Sequence, residues 1–161
     1  MICESCGKDH PLEMLELTFR RPDDIVSLSK KEREESVYEN DDLCVIGDTR
    51  FFIRALLPLP VIGRDQPYNI GIWVEIDQSS FERVYELWSD PEQGSEPPFI
   101  VKIANSIPTL SNTAGLVATL QLTGPTTRPT ILIQQDLHQL YSEQSKGITT
   151  HRAHEYSSLF A

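Results

Sequence analysis

Residues 43–88 constrain the fold of this chain more than any other stretch, because their apolar side chains alternate strongly with other residues. Phe51, Ile53 and Ala55 would share one face of a strand, since successive side chains of a strand point to opposite sides. Residues 70–76 repeat the pattern, and the turn-rich segment IGRDQP separates the two runs. The sequence therefore predicts an antiparallel hairpin at the centre of the fold.

Two prolines limit the hydrogen-bond ladder on one side of this hairpin. Pro58 and Pro60 are two residues apart, so their missing N–H groups fall on the same side of the strand. That side cannot carry a full ladder there. We therefore expect it to be a sheet edge or a strand end.

A helix is predicted directly after the hairpin, over residues 80–89. Ser79 and Glu82 have the spacing of a capping box, and the apolar residues that follow recur at helical spacing. Ser29 and Glu32 form a second capping box, which opens a short and almost wholly polar helix. We expect the apolar stripe of the first helix to pack on the sheet.

The remaining strands are predicted from apolar runs that turn residues separate. With the hairpin, the predicted strands are residues 43–47, 51–60, 69–77, 99–104, 116–123 and 130–134. Because long crossover helices are not predicted between them, we expect an α+β fold with a mainly antiparallel sheet and a few packed helices. A chain of 161 residues fits one domain. Its predicted parts are a zinc-knuckle segment at 1–22, the central sheet and helix at 43–134, and a C-terminal helical segment at 135–161.

Charge and composition disfavour several classes of partner. The formal net charge is −10, and the 14 basic residues are scattered, whereas nucleic-acid binding needs clustered lysine and arginine. Apolar stretches are too short for a membrane span, and the N-terminus lacks the pattern of a signal peptide. Three cysteines fit a reducing cytoplasm better than secretion. We expect a cytoplasmic protein with no membrane or nucleic-acid partner, and a protein partner stays open.

The N-terminus carries half of a zinc-binding motif. Two residues separate Cys3 from Cys6, so both thiolates can reach one ion, and His10 follows closely. Cys44 would add a third sulfur ligand. The alternative is an inert terminal pair with Cys44 as an ordinary buried residue. We predict one structural zinc ion held by Cys3, Cys6 and Cys44, with His10 as the fourth ligand.

Arg54 interrupts an apolar strand and has three interpretations. It could reach water at an edge, meet a carboxylate such as Glu75 across the hairpin, or anchor a substrate. The third interpretation needs a pocket. The residues of the candidate pocket are Arg54, Trp73, His138, Glu143 and Gln144.

Four sequence blocks resemble the bacterial family DUF2199. They are CESCGKDH at the start, DDLCVIGDTRFFIRALLPLPV, GIWVEI with the helix after it, and LHQLYSEQSKGIT near the end. The resemblance covers nearly the whole chain. It implies a soluble bacterial protein, and it implies no known activity.

Two hypotheses of function follow. The first is a non-enzymatic binding or regulatory module with a structural zinc site. The second is a small enzyme of hydrolase or transferase type, whose cleft would gather Arg54 and His138, with Glu143 as a further member. The sequence has no nucleophile elbow, phosphate-binding glycine loop or HExxH motif that would favour the second hypothesis.

Overall fold

The computed structural model describes residues 15–159, which form an α+β fold as predicted. The strands are β1 (Val37–Glu39), β2 (Leu43–Ile46), β3 (Arg50–Leu59), β4 (Tyr68–Ile76), β5 (Phe99–Ile103), β6 (Val117–Gln121) and β7 (Thr130–Ile133). The helices are α1 (Asp23–Val26), α2 (Lys30–Ser36), α3 (Gln78–Glu86), α4 (Gln139–Lys146) and α5 (Thr150–Ser157). A 3₁₀ turn covers Gln93–Ser95.

The strands form one sheet that closes on itself into a barrel. Neighbours in sequence pair antiparallel from β1 through β7, which confirms the predicted hairpins. In addition, β3 pairs in parallel with β7 at Leu56 and Thr130. The expectation of a mainly antiparallel sheet was therefore incomplete, because the sheet is a mixed barrel. The closing contact joins residues far apart in the chain, so no local pattern indicates it.

Alternate side chains of the barrel strands fill its interior. Ile53 lies opposite Val74, and Val74 lies opposite Ile103 on the next strand, so the buried rows continue around the barrel. The other buried interior residues are Ala55, Leu57, Ile70, Ile72, Val101, Ala118, Leu120, Ile131 and Ile133. Burial of these aliphatic side chains is the main stabilising contribution to the fold.

Helix α3 packs against β3, as the apolar stripe predicted. The rings of Phe51 and Phe81 lie 4.9 Å apart between centroids, and Val84 is fully buried. The helix begins earlier than predicted, because the carboxylate of Asp77 accepts a hydrogen bond from the Ser80 N–H at 2.8 Å. The capping box predicted at Ser79 is therefore wrong, and the N-cap is Asp77.

Helix α2 and strand β1 follow each other in a segment for which only a helix was predicted. The capping box is confirmed, since the Ser29 hydroxyl accepts from the Glu32 N–H at 3.1 Å. The helix ends at Ser36, however, and β1 follows at once. The side chain of Asn40 accepts hydrogen bonds from the N–H groups of Asp42 and Leu43, which shapes the turn that pairs β1 with β2.

The segment before α1 crosses the outer side of β4. The Gly71 N–H donates to the Leu17 carbonyl, and the Phe19 N–H donates to the Gly71 carbonyl, both at 2.9 Å. These two bonds form an isolated parallel bridge between Thr18 and Gly71. Within residues 15–159, no helix has the length and apolar character needed to cross a membrane.

Candidate functional site

The barrel closes along one edge of β3, where two other chain segments meet. The Arg54 N–H donates to the carbonyl of Asp42, just before β2, at 2.9 Å. The Leu56 N–H donates to the carbonyl of Pro129, just before β7, also at 2.9 Å. Arg54 therefore lies where the pairing of β3 changes from β2 to β7. We call this place the seam, defined by Asp42, Arg54, Leu56, Arg128 and Pro129.

An open groove of about 760 Å³ lies beside the seam. Outward-facing residues of the β3–β4 hairpin form one wall, and the loop of residues 123–130 forms another. Its charged lining residues within the described chain are Asp42 and Arg128. The neutral hydrogen-bonding residues of the lining are Asn69, Trp88, Thr123, Thr126, Thr127 and Thr130. We call this cavity the seam groove.

Arg54 lies beside Asp42 and Leu56 in the seam, but it is not among the residues that line the seam groove. One terminal nitrogen of Arg54 donates to the Asp41 carbonyl at 3.3 Å. Its Nε is buried and has no hydrogen-bond partner among residues 15–159. Burial lowers the pKa of Arg54, and the nearby charge of Arg128 lowers it further. The charges of Asp41 and Asp42 act in the opposite direction and partly compensate the guanidinium.

The carboxylate of Glu75 belongs to a different arginine. Arg50 donates to both oxygens of Glu75, at 2.9 Å from Nε and 2.8 Å from a terminal nitrogen, and it also reaches Asp24 at 2.6 Å. The interpretation of Arg54 as a cross-strand partner of Glu75 is therefore wrong. Both arginines lie on the same face of β3, each two residues from the position opposite Glu75, and it is Arg50 that pairs with this carboxylate.

Trp73 is the cross-strand neighbour of Arg54 in the β3–β4 register. Its side chain is fully buried, and the indole N–H donates to the Phe19 carbonyl at 3.1 Å. The guanidinium of Arg21 lies 6.0 Å from the ring centroid. Trp73 thus anchors the segment that crosses β4, and its burial separates it from the seam groove.

His138 caps the first turn of α4. Its Nδ1 accepts from the Leu140 N–H at 3.0 Å, and its Nε2 lies 2.7 Å from the Ser111 carbonyl oxygen. A carbonyl can only accept, so Nε2 carries the proton and donates, while Nδ1 is the acceptor. Both nitrogens of His138 are engaged in holding α4 to the loop before β6.

Glu143 forms a largely buried cluster with α5. Its carboxylate accepts from Arg152 Nε at 2.9 Å and from the Tyr156 hydroxyl at 2.6 Å, and its side chain is 11% exposed. Burial raises the pKa of Tyr156, and the bond to Glu143 acts in the same direction. The phenol is therefore neutral and acts as a donor. This cluster fastens α5 to α4.

Gln144 bridges β7 and β3 through its side-chain amide. Its Oε1 accepts from the Ile133 N–H at 2.8 Å, and its Nε2 donates to the carbonyls of Ile131 at 2.8 Å and Pro58 at 3.3 Å. The β3–β7 ladder ends at Leu56, as the spacing of the two prolines predicted for this side of the strand.

The structure therefore divides the candidate pocket into two groups. Arg54 and Trp73 share the outer face of the hairpin, while His138, Glu143 and Gln144 share α4 or its N-cap. In the hydrogen bonds described above, the two groups have no partner residue in common. The sequence analysis missed Arg128 and the threonines of the loop, because only the parallel closure of the barrel brings them beside β3. It also missed Asp42, which the antiparallel pairing of β2 with β3 places beside Arg54.

Cys44 is the one predicted zinc ligand that lies within the described residues. Its side chain is fully buried, and Sγ lies 3.8 Å from the Asn40 carbonyl. Burial raises the pKa of this thiol to about 11, while the charge of Arg21 acts in the opposite direction. Cys3, Cys6 and His10 lie outside residues 15–159. Those residues contain no cluster of three His, Cys, Asp or Glu side chains that could hold a metal ion, and the four-ligand site stays a prediction.

The fold and groove define an α+β protein built on a mixed barrel, with an open groove at the barrel closure. The chain matches the family described as "Uncharacterized protein conserved in bacteria (DUF2199)" over residues 2–148, and it therefore belongs to that family. This confirms the resemblance found in the sequence blocks. Comparisons with curated proteins and with solved structures gave no match.

Proposed function

We propose that this protein is a non-enzymatic binding module whose ligand occupies the seam groove. The observation that carries the proposal is the groove itself, whose volume of about 760 Å³ lies within the usual range for small-molecule sites. Its lining combines proline and leucine surface with threonine hydroxyls and the amide of Asn69. Such a lining can orient a ligand through hydrogen bonds.

The chemistry of the lining favours binding over catalysis. Asp42 and Arg128 are its charged members within the described chain, and they lie near each other, with Arg128 Nε 3.8 Å from Asp42 Oδ1. The hydrolase or transferase alternative would need His138 beside Arg54. His138 instead uses both ring nitrogens to hold α4, so it has a structural role that explains its position.

Binding can be tested by titrating a library of small metabolites into ¹⁵N-labelled full-length protein and following amide shifts. We expect shifts that map to residues 123–130 and to the hairpin wall. Thr126→Trp should block the groove and abolish them. Thr49→Trp is the matched control, because Thr49 is an exposed threonine of the β2–β3 turn outside the groove lining. Chemical conversion of a library compound, lost in the Thr126→Trp variant, would instead establish an enzyme.

The second part of the proposal is the structural zinc ion held by Cys3, Cys6, Cys44 and His10. Support comes from the thiol chemistry and from the position of Cys44 at the start of β2, where a bound ion would tie the N-terminal segment to the barrel. Arg21 lies near enough to favour the thiolate, which opposes the effect of burial. Zinc binding would displace the thiol proton, so affinity would fall at acid pH.

Zinc content measured by mass spectrometry tests this part directly. Full-length protein purified without chelators should carry one zinc ion per chain, and Cys3→Ser and Cys44→Ser should each lose it. Zinc retained by Cys44→Ser alone would remove Cys44 from the ligand set. Zinc-free wild-type protein would overturn the site and leave the groove proposal intact.

A further inference from the structure

The two charged residues that line the seam groove within the described chain balance each other. Arg128 Nε lies 3.8 Å from Asp42 Oδ1, and their formal charges cancel. The lining therefore favours neither an anion nor a cation over a neutral ligand. A ligand with one full charge would also compete with this pair for its partner. The groove is thus matched in charge to a neutral molecule, which it can select by hydrogen bonds and shape.

Several neutral polar side chains of the lining have no hydrogen-bond partner among residues 15–159. They are the amide of Asn69, the indole N–H of Trp88, and the hydroxyls of Thr126 and Thr130. Amides and hydroxyls both donate and accept, whereas the indole N–H only donates. A ligand hydroxyl also donates and accepts, so it can bond to any of these groups.

Two other threonines of the lining fix the shape of the loop instead. The Thr123 hydroxyl donates to the Arg128 carbonyl at 3.0 Å, and it lies 2.6 Å from the Thr127 hydroxyl. Since the proton of Thr123 is used on the carbonyl, the Thr127 hydroxyl donates to Thr123. These bonds stay within the loop, so they leave the Thr126 and Thr130 hydroxyls available to a ligand.

The backbone beside the groove is already engaged, which disfavours an extended peptide as the ligand. A peptide that adds to a strand edge binds mainly through main-chain hydrogen bonds. The Leu56 N–H donates to the segment before β7, and Pro58 has no N–H, while its carbonyl accepts from a side-chain amide. The Asn69 N–H donates to the carboxylate of Glu16. Recognition in the seam groove therefore depends on side chains.

Rigid apolar groups complete the lining. Trp88 is its aromatic residue within the described chain, and Pro58, Pro67 and Pro125 add further rings. Trp88 is half-buried and packs against the core, which holds it in place. An indole combines a flat apolar surface with one polar N–H, so it suits a ligand that is itself amphipathic. A saccharide ring has this character, because its C–H faces are apolar and its rim carries hydroxyls.

We propose that the ligand of the seam groove is a neutral saccharide. A sugar ring lies against Trp88 in this arrangement, and its hydroxyls bond to the unengaged side chains of the lining. This inference rests on the proposed function and names the ligand class for the same groove. Asp42 and Arg128 are each about half exposed, so they can accept from and donate to further sugar hydroxyls while they remain paired.

The indole N–H signals of the two tryptophans provide the readout. Glucose, galactose, mannose, maltose and cellobiose are titrated into ¹⁵N-labelled full-length protein. We expect at least one of these sugars to shift the Trp88 signal and the amide signals of residues 123–130. The Trp73 signal should stay in place, because its N–H is buried and bonded to the Phe19 carbonyl. The uronic acid and the 2-amino sugar that match a bound hexose should bind no more tightly than the hexose.

Three variants make the test specific to the groove. Thr130→Val removes one hydroxyl at nearly constant shape and should weaken sugar binding by about two- to ten-fold, the usual effect of losing one neutral hydrogen bond. Asn69→Ala should weaken it by a similar factor. Thr150→Val is the matched control, because Thr150 lies on α5 outside the groove lining, and it should leave the affinity unaltered. Amide spectra of each variant verify that the barrel is folded.

The outcomes separate this inference from the proposed function. The saccharide assignment is overturned if none of the five sugars shifts the Trp88 or loop signals. Tighter binding of the matched uronic acid or amino sugar would overturn it too, as would equal affinities of Thr130→Val and Thr150→Val. A groove that responds to other metabolites and to no sugar keeps the binding module and loses only this assignment. The proposed function fails separately, if no compound of the metabolite library perturbs the groove.

Discussion

The side-chain amide of Gln144 pairs with the backbone of Ile133 as a neighbouring strand would. Its Oε1 accepts from the Ile133 N–H at 2.8 Å, and its Nε2 donates to the carbonyl of Ile131 at 2.8 Å. Pro58 on β3 has no N–H to offer β7, and its carbonyl accepts from the same Nε2 at 3.3 Å. The glutamine therefore continues the barrel closure beyond the point where proline ends the ladder.

Replacing Gln144 by leucine should destabilise the fold by about 1–3 kcal/mol, because it leaves partly buried backbone groups of β7 without partners. Urea unfolding followed by circular dichroism measures the change. Gln139→Leu, on an exposed site of the same helix, should stay within about 0.5 kcal/mol of wild type. Equal free energies of unfolding for Gln144→Leu and Gln139→Leu would show that water satisfies the backbone groups of β7 as well as the amide does.

A second prediction concerns the close approach of Thr18 to Gly71. A Cβ added at Gly71 would lie 2.8 Å from Thr18 Oγ1 and 3.1 Å from its Cγ2, closer than real side chains come. Gly71→Ala should therefore destabilise the protein by about 1–3 kcal/mol through overpacking. Gly94→Ala is the control, since the nearest neighbour of the added Cβ would be the Leu122 carbonyl oxygen at 3.7 Å.

Thr18→Ala shortens the opposing side chain, so it should relieve part of the strain in the Gly71→Ala background. A double-mutant cycle measured by thermal unfolding tests this, and the combined cost should be smaller than the sum of the single costs. Strict additivity would show that the two positions do not touch in solution, and that the segment crossing β4 is held by other contacts.

The elements predicted best from sequence are those whose pairing is local. Strands β3 and β4 lie within one residue of their predicted bounds, because each alternates regularly and one turn joins them. Strand β1 was missed because its three residues follow a polar helix without a proline or glycine between them. The parallel contact of β3 with β7 was missed because it depends on the closure of the whole barrel.

The candidate site was predicted less well for the same physical reason. Arg54 could be singled out, since a charge within an apolar strand needs an explanation. Arg128 sits in a segment of turn composition, GPTTRP, and only the barrel closure brings it beside Arg54. His138 and Glu143 look like catalytic side chains in sequence, whereas their hydrogen bonds hold α4 in place.

A third prediction concerns the pH dependence of the Asp77 cap. Hydrogen bonds from the Ser80 N–H and the Ser79 hydroxyl, each at 2.8 Å, lower the pKa of Asp77. Because the folded-state pKa lies below the unfolded value of about 3.9, the ionised cap stabilises the fold above that value. The contribution is lost as the pH falls through the folded pKa.

Asp77→Ala should accordingly cost about 1 kcal/mol at neutral pH, the usual value of an N-cap. The difference between wild type and Asp77→Ala should shrink as the pH falls below about 4. Asp77→Asn keeps an acceptor at the cap without a titrating group, so its difference from Asp77→Ala should stay constant with pH. Urea unfolding across this range measures all three proteins, and a gap between wild type and alanine that does not change with pH would contradict the assignment.

A fourth prediction compares Arg54 with Arg50, which lie on the same face of β3 and differ in their partners. Arg54→Met removes a half-buried guanidinium whose Nε has no hydrogen-bond partner within residues 15–159, and it keeps an apolar side chain of similar length, so it should stabilise the fold by about 0.5–2 kcal/mol. Arg50→Met breaks the contacts with Glu75 and Asp24 and should destabilise it by about 1 kcal/mol, since these side chains are partly exposed. Thermal unfolding measures both changes. A gain in stability from Arg54→Met would show that the unpartnered Nε costs more than the guanidinium gains from the charges of Asp41 and Asp42. Destabilisation by Arg54→Met equal to that of Arg50→Met would show that the protein itself satisfies Arg54.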